Sequence, residues 1–85
     1  MTGDRVEERA HRILRAALAD VAPEADADRL EPERTFHDQL DLDSVDFLRL
    51  MAALERHSGV RIPGSEGHRL ATPAACRRYL RDRLA

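Results

Sequence analysis

An all-α fold is predicted: a small four-helix bundle of three main helices and one short one, with a long loop between the first two main helices. Three observations point to it. Strand-forming residues are scarce, since Val, Ile and Thr together number nine against eleven Leu and thirteen Ala, and the latter two favour helix while β-branched residues favour sheet. Apolar residues recur at three- and four-residue spacing in three separate stretches, as amphipathic helices require. Between the first two stretches, residues 20–43 show no sustained period and carry Pro23, Pro32 and a run of acids, which reads as an ordered loop. At 85 residues the chain is well below the length at which a second core forms, so one domain over 1–85 is expected.

The first helix is expected from about residue 4 to 19, where Val6, Ala10, Ile13, Leu14, Ala17 and Leu18 share a face and Asp4 and Glu7 are spaced like a capping box. Leu30, Phe36, Leu40 and Leu42 are the expected anchors of the loop. The second main helix opens at Asp43-Ser44 and runs to about Ser58 with two apolar stripes: Val45, Leu48, Met51 and Ala52 on one side, Phe47, Leu50, Met51 and Leu54 on the other. A helix apolar on two sides is either deeply buried or offers its second face to a partner. Gly59 is placed to stop it. Val60-Arg61-Ile62-Pro63 reads as an extended link, and Gly64 and Gly67 leave one turn or so of helix before residue 70. Thr72 as cap and Pro73 at the first helical position open a last helix over 73–84, carrying Cys76, Tyr79, Leu80 and Leu84 at helical spacing.

Composition excludes several classes. No uninterrupted apolar stretch approaches the ~18–20 residues of a membrane span, and the charges at Asp4, Arg5, Glu7, Glu8, Arg9, Arg12 and Arg15 leave no room for the apolar centre of a secretory signal, so a cytoplasmic protein is expected. Cys76 is the single cysteine, which rules out an internal disulfide and a cysteine-based zinc site. The net charge of −2 is unevenly spread: +1 over residues 1–19, −8 over 20–46 and +5 over 47–85, with all fourteen cationic side chains Arg. The acidic block opposes nucleic acid and suits basic partners, and three aromatic residues offer little base stacking.

Ser44 stands at a helix start, where unpaired N–H groups and the positive end of the helix dipole would accommodate a phosphate ester. The same position suits a cap, a role open to Ser44 or to Asp43. Self-contained catalysis by Ser44 is not expected, because His37 and His57 lie in an acidic loop and at a helix end with nothing to place either against the hydroxyl. Asp41, Asp43 and Asp46 lack the glycine turn and distal glutamate of a calcium loop, so no metal site is expected. His11 and His68 read as surface residues, and Cys76 as a small buried thiol.

The stretch LDLDSVDFLRLMAALERHSGVRIP, residues 40–63, resembles the acyl carrier protein family, whose hallmark is an Asp-Ser-Leu-like tripeptide opening the helix. Phe36 and Leu40 match the pattern before that serine, Ile62-Pro63 the link after the helix, and Leu70-Ala71-Thr72 through Tyr79-Leu80 the last helix, so the resemblance covers essentially the whole chain. It implies that Ser44 carries 4′-phosphopantetheine, transferred from coenzyme A by a separate phosphopantetheinyl transferase, with acyl groups held as thioesters, and that the protein is not an enzyme. It implies further that acyl-loading, elongating or acyl-transferring enzymes dock on the helix opened by Ser44. Asp43 and Asp46 would flank the arm and meet basic patches, and Val45, Leu48 and Ala52 would make the apolar contact. The bundle interior can shelter an acyl chain in this family.

Four positions depart from the family pattern. Arg49 and Arg56 stand where acids are common, leaving Glu55 as the one acid in the body of that helix; Asp41 replaces a common glycine; Ser58 replaces a large apolar residue. Rim charges govern encounter and reject wrong partners, so these changes point to fatty acid, lipid or polyketide-type biosynthesis in a specialised rather than housekeeping pathway. An aminoacyl or peptidyl carrier, or an unmodified helical interaction module, are the alternatives. A monomer is expected, since one helix face is the only unclaimed apolar surface.

Overall fold

The computed structural model describes residues 2–85, with side chains from Arg5 onward. Helix α1 (Thr2–Val21) buries Ala10, Ile13, Leu14, Ala17 and Leu18 on one face, as their spacing dictates. It starts before Asp4, so the capping role expected of that residue gives way to a place inside the helix; its side chain lies outside the described residues. Ala22 donates its N–H to the Leu18 carbonyl at 2.7 Å, and Pro23, by disfavouring helical backbone at the residue before it, ends the run.

The connection to the next long helix is not the structureless loop its aperiodicity suggests. It holds a 3-10 turn, Ala27–Arg29, and a five-residue helix α2 (Phe36–Leu40), both too short to show a hydrophobic period. Each is closed by its own side-chain cap: an Asp26 carboxylate oxygen accepts the Asp28 N–H at 2.9 Å, and the Thr35 hydroxyl accepts the Asp38 N–H at 3.1 Å. Gln39 ties the segment to itself, donating to the carbonyls of Glu31 (2.9 Å) and Arg34 (2.8 Å) and accepting from the Glu31 N–H (2.9 Å). Two backbone bonds fix it to the far side of the molecule, Phe36 N–H to Ala71 O and Ala74 N–H to Pro32 O, both 2.9 Å. Phe36 is fully buried, and Leu30, Leu40 and Leu42 pack against the core as expected of anchors.

Helix α3 (Ser44–Ser58) begins and ends where the sequence places it, with Gly59 taking the left-handed conformation (φ 73°) at its C-terminus. Ser58 is buried and satisfied: its hydroxyl donates weakly to the Glu55 carbonyl (3.4 Å) and accepts the Val60 N–H (3.0 Å), so a polar side chain is tolerated where a large apolar one was the expectation. After the extended link, a 3-10 helix spans all of Gly64–Leu70, longer than the single turn expected. Gly67 permits it to lie close on α3, since a Cβ there would stand 3.2 Å from a Phe47 ring carbon and 3.3 Å from the Met51 sulfur. Helix α4 (Pro73–Leu84) is capped by Thr72, whose hydroxyl accepts the Ala75 N–H at 3.1 Å. Cys76, Tyr79 and Leu80 are buried, and the Tyr79 ring lies beneath the guanidinium groups of Arg83 at 3.7 Å and Arg69 at 5.4 Å. The result is a small helical bundle in which α1 packs on both α3 and α4, while the 3-10 helix bridges α4 and α3.

Two aspartates pin the ends of this arrangement. Asp20, near the end of α1, receives Arg56 at 2.7 Å and His57 at 2.8 Å from the end of α3; Asp28 in the 3-10 turn receives His11 at 2.6 Å and Arg15 at 2.8 Å from α1. Hydrogen bonds from the histidine, then from the arginine, hold each carboxyl below its ordinary value of 3.8. A depressed folded-state value means the stabilisation is complete above the unfolded pKa and is lost as pH falls through the folded one. The wild type should therefore lose more urea resistance between pH 5 and pH 2, taken as about the acid range where carboxylates protonate, than Asp20→Asn or Asp28→Asn. Asp41 is the one non-glycine residue with positive φ, at 53°. Asp41→Gly relieves that conformation at some cost in unfolded-chain entropy, for an expected gain of about 0.5–1 kcal/mol. In a thermal melt that gain reads as a rise of about 2–8 °C.

Candidate functional site

The site is the junction Asp41-Leu42-Asp43 and the helix start that follows it. Asp41 ends α2 in the left-handed conformation, which its short polar side chain tolerates and which glycine adopts freely. The chain then turns through Leu42, half-buried against the core, and enters α3 at Asp43. Asp43 is the cap: its carboxylate accepts the Asp46 N–H at 2.8 Å, and the Asp46 carboxylate reaches back to the Asp43 N–H at 3.5 Å. The two roles open to the pair at the sequence level are thus divided, and the cap falls to Asp43.

Ser44 is left exposed, with no hydrogen bond to its hydroxyl among the described residues. Of the N–H groups in the first turn, that of Asp46 is taken by the cap and that of Phe47 by the Asp43 carbonyl (3.0 Å). Those of Ser44 and Val45 have no acceptor among the described residues, which leaves two donors and the positive end of the helix dipole beside the hydroxyl. Nothing here activates the serine as a nucleophile. His37 directs Nδ1 to the Leu42 carbonyl at 2.9 Å, and His57 is held at the opposite end of α3 by Asp20. Among the described residues no three His, Cys, Asp or Glu side chains are grouped to hold a metal ion.

The two apolar stripes of α3 separate cleanly. Phe47, Leu50, Met51 and Leu54 are buried, whereas Val45 and Leu48 are 58% and 55% exposed, the large hydrophobic side chains the fold leaves in solvent, and Ala52 continues their line one turn on. Met51, which periodicity allotted to both stripes, belongs to the interior. The charged residues around the outer stripe differ in how free they are. Arg49 is exposed and makes no ion pair among the described residues. Glu55 accepts the Ile62 N–H at 2.5 Å and so fastens the extended link to α3, and Arg56 is engaged by Asp20. Asp43 and Asp46 share the cap. The structure thus brings Asp43, Ser44, Val45, Asp46, Leu48, Arg49 and Ala52 to one end and side of α3, and gives Glu55 and Arg56 internal partners. Sequence reasoning passed over His37 and Thr35 as parts of the site's support. Thr35 was detectable from Thr35-Phe36-His37-Asp38, which has the form of a helix start.

The phosphopantetheine attachment site family matches residues 12–80. The acyl carrier protein of Thermosynechococcus vestitus is 33% identical over 75 residues, covering 86% of this chain and 93% of that protein. The acyl carrier protein of Myxococcus xanthus is 35% identical over 60 residues, 67% of this chain and 76% of the relative. That of Acidothermus cellulolyticus is 42% identical over 43 residues, 51% of each. With a free serine at a helix start and matches of this extent, the chain belongs to the acyl carrier protein family: it is a carrier and not a catalyst, and its working group is a covalently attached 4′-phosphopantetheine.

Proposed function

We propose that Ser44 is the attachment residue and that the outer face of α3 is where partner enzymes dock. The observation that carries this reading is the free, exposed Ser44 hydroxyl at the start of α3, beside an exposed apolar stripe that no intramolecular neighbour covers. The residues present fit the group: a phosphodiester on the hydroxyl would lie beside the unpaired N–H groups of Ser44 and Val45, and the first turn opens to solvent. Once attached, the arm supplies a terminal thiol that holds acyl groups as thioesters. Because no imidazole reaches Ser44, the base that removes its proton belongs to the phosphopantetheinyl transferase.

The charges of α3 support a specialised partner set. Asp43 and Asp46 keep the start of the helix acidic, but beyond them the free charge beside Val45, Leu48 and Ala52 is the cation Arg49, since Glu55 and Arg56 are occupied within the fold. A partner built for this face would meet a mostly apolar strip with one positive charge, not an acidic one. The relatives' name, acyl carrier protein, favours acyl over aminoacyl cargo. We assign the chain to acyl transfer in lipid or polyketide-type biosynthesis with its own loading and elongating enzymes, in the cytoplasm and as a monomer.

Incubation with coenzyme A, magnesium and a phosphopantetheinyl transferase should add one phosphopantetheine to the intact mass of the wild type and none to Ser44→Ala; equal gain in both would move the attachment elsewhere. Leu48→Ser, at an exposed position, should change stability by less than about 0.5 kcal/mol while raising the transferase KM severalfold. A thiol count gives an independent check. Burial pushes the Cys76 thiol up to about 12, so the native unmodified protein should show no fast-reacting thiol near neutral pH, and the modified protein one per chain.

A further inference from the structure

Whether the Ser44 hydroxyl faces a docked partner depends on the backbone of the three residues before it, and two of those residues have little to hold them. Asp41 occupies a left-handed conformation that a non-glycine residue adopts at a cost, and Asp43 is exposed. Leu42 sits between them with its side chain against the core. Its carbonyl is met by a single side chain: His37, one turn earlier in α2, donates from Nδ1 to the Leu42 oxygen at 2.9 Å. A carbonyl only accepts, so the proton is on Nδ1. The same imidazole packs on the Phe47 ring at 4.9 Å between centroids and 39° between planes, and Phe47 in turn lies 6.5 Å from the Phe36 ring. Phe47 is in the first turn of α3, with its N–H on the Asp43 carbonyl at 3.0 Å. One side chain thus touches the backbone two residues before Ser44 and the ring three residues after it.

We propose that His37 is a positioning residue for the modification of Ser44: by bonding the Leu42 carbonyl and bracing Phe47 it fixes the turn that aims the hydroxyl. This rests on the reading of Ser44 as the attachment residue. The ring and the donor have separable roles. The ring sets the distance between α2 and the first turn of α3, and the Nδ1 proton sets the orientation of the Leu42 peptide plane. Loss of the donor lets that plane rotate, with Asp41 free to leave its strained conformation, and the hydroxyl swings while the docking stripe of α3 stays in place.

The experiment compares wild type, His37→Phe, which keeps a ring and loses the donor, and His37→Asn, whose amide nitrogen stands near the Nδ1 position and loses the ring. Each full-length chain is assayed with coenzyme A and a phosphopantetheinyl transferase for kcat and KM, and separately for amide hydrogen exchange at Asp43 and Ser44 and for its thermal midpoint. Expected for His37→Phe is a kcat about ten- to a hundredfold lower, the range that a small misplacement of a reacting group produces, with KM changed less than about twofold because the docking face is untouched. Exchange at Asp43 and Ser44 should accelerate while the melting transition stays cooperative. His37→Asn should recover most of the kcat and of the protection. Wild-type kcat and protection in His37→Phe would overturn the proposal, as would a loss that His37→Asn does not recover, which would place the effect in ring packing. Should the wild type itself take no phosphopantetheine, the reading of Ser44 fails, and the exchange pattern alone then decides whether His37 holds the turn.

Discussion

The cap formed by Asp43 is the interaction on which the character of this surface depends. A helix start must satisfy or solvate four N–H groups, and serine is among the side chains best suited to accept from them. Here the residue one position earlier takes that task with its carboxylate and is answered by Asp46. The serine hydroxyl is thereby relieved of any part in folding, and two N–H groups beside it stay open. A residue with no structural duty can be esterified and released again without disturbing the helix that carries it. The cap also explains why acids sit so near a position meant for a phosphate: each spends an oxygen on an amide hydrogen of the helix start.

The remainder of the fold presents that helix rigidly while leaving one of its sides bare. Helix α3 is held from within by Phe47, Leu50, Met51 and Leu54, and at its C-terminal end by the Asp20 pair and by Glu55 on the extended link. The 3-10 helix lies against it because Gly67 has no side chain to keep Phe47 and Met51 away. With one side buried and its C-terminal end pinned, Val45, Leu48 and Ala52 stay on the surface. Arg56 and Glu55, which by sequence alone are surface charges available to a partner, are instead fasteners of the bundle. Which charges a partner meets on this helix is therefore decided by Asp20 and Ile62, residues on other segments altogether.

The three long helices and the position of Ser44 were legible in the sequence because each carries a long apolar period and an unambiguous stop or start: Pro23 after α1, Gly59 after α3, Thr72-Pro73 before α4. The short helix α2 was not, because five residues cannot display a 3.6-residue period and because its end is marked by Asp41 in a conformation usually signalled by glycine. The full extent of the 3-10 helix was hidden by Gly64 and Gly67, which weaken the expectation of helix locally although Gly67 is needed there for contact with α3. The outer stripe was visible as surplus hydrophobicity, but which side of α3 would be buried became clear only with its neighbours in place. The engagement of Glu55 and Arg56 was beyond reach, since it depends on partners seven and thirty-six residues away.

The burial of Cys76 has a bearing on the cargo. A thioester is open to attack by any nearby thiolate, and a carrier with a reactive cysteine of its own would drain acyl groups from the arm onto its body or trap the arm in a mixed disulfide. Cys76 is sealed in the core, and with a pKa of about 12 it is ionised in roughly one molecule in 10⁵ at neutral pH. The protein thus keeps a small sulfur side chain for packing and still offers its cargo no competing acceptor, so the lifetime of the loaded state is set by water and by the partner enzymes rather than by self-acylation.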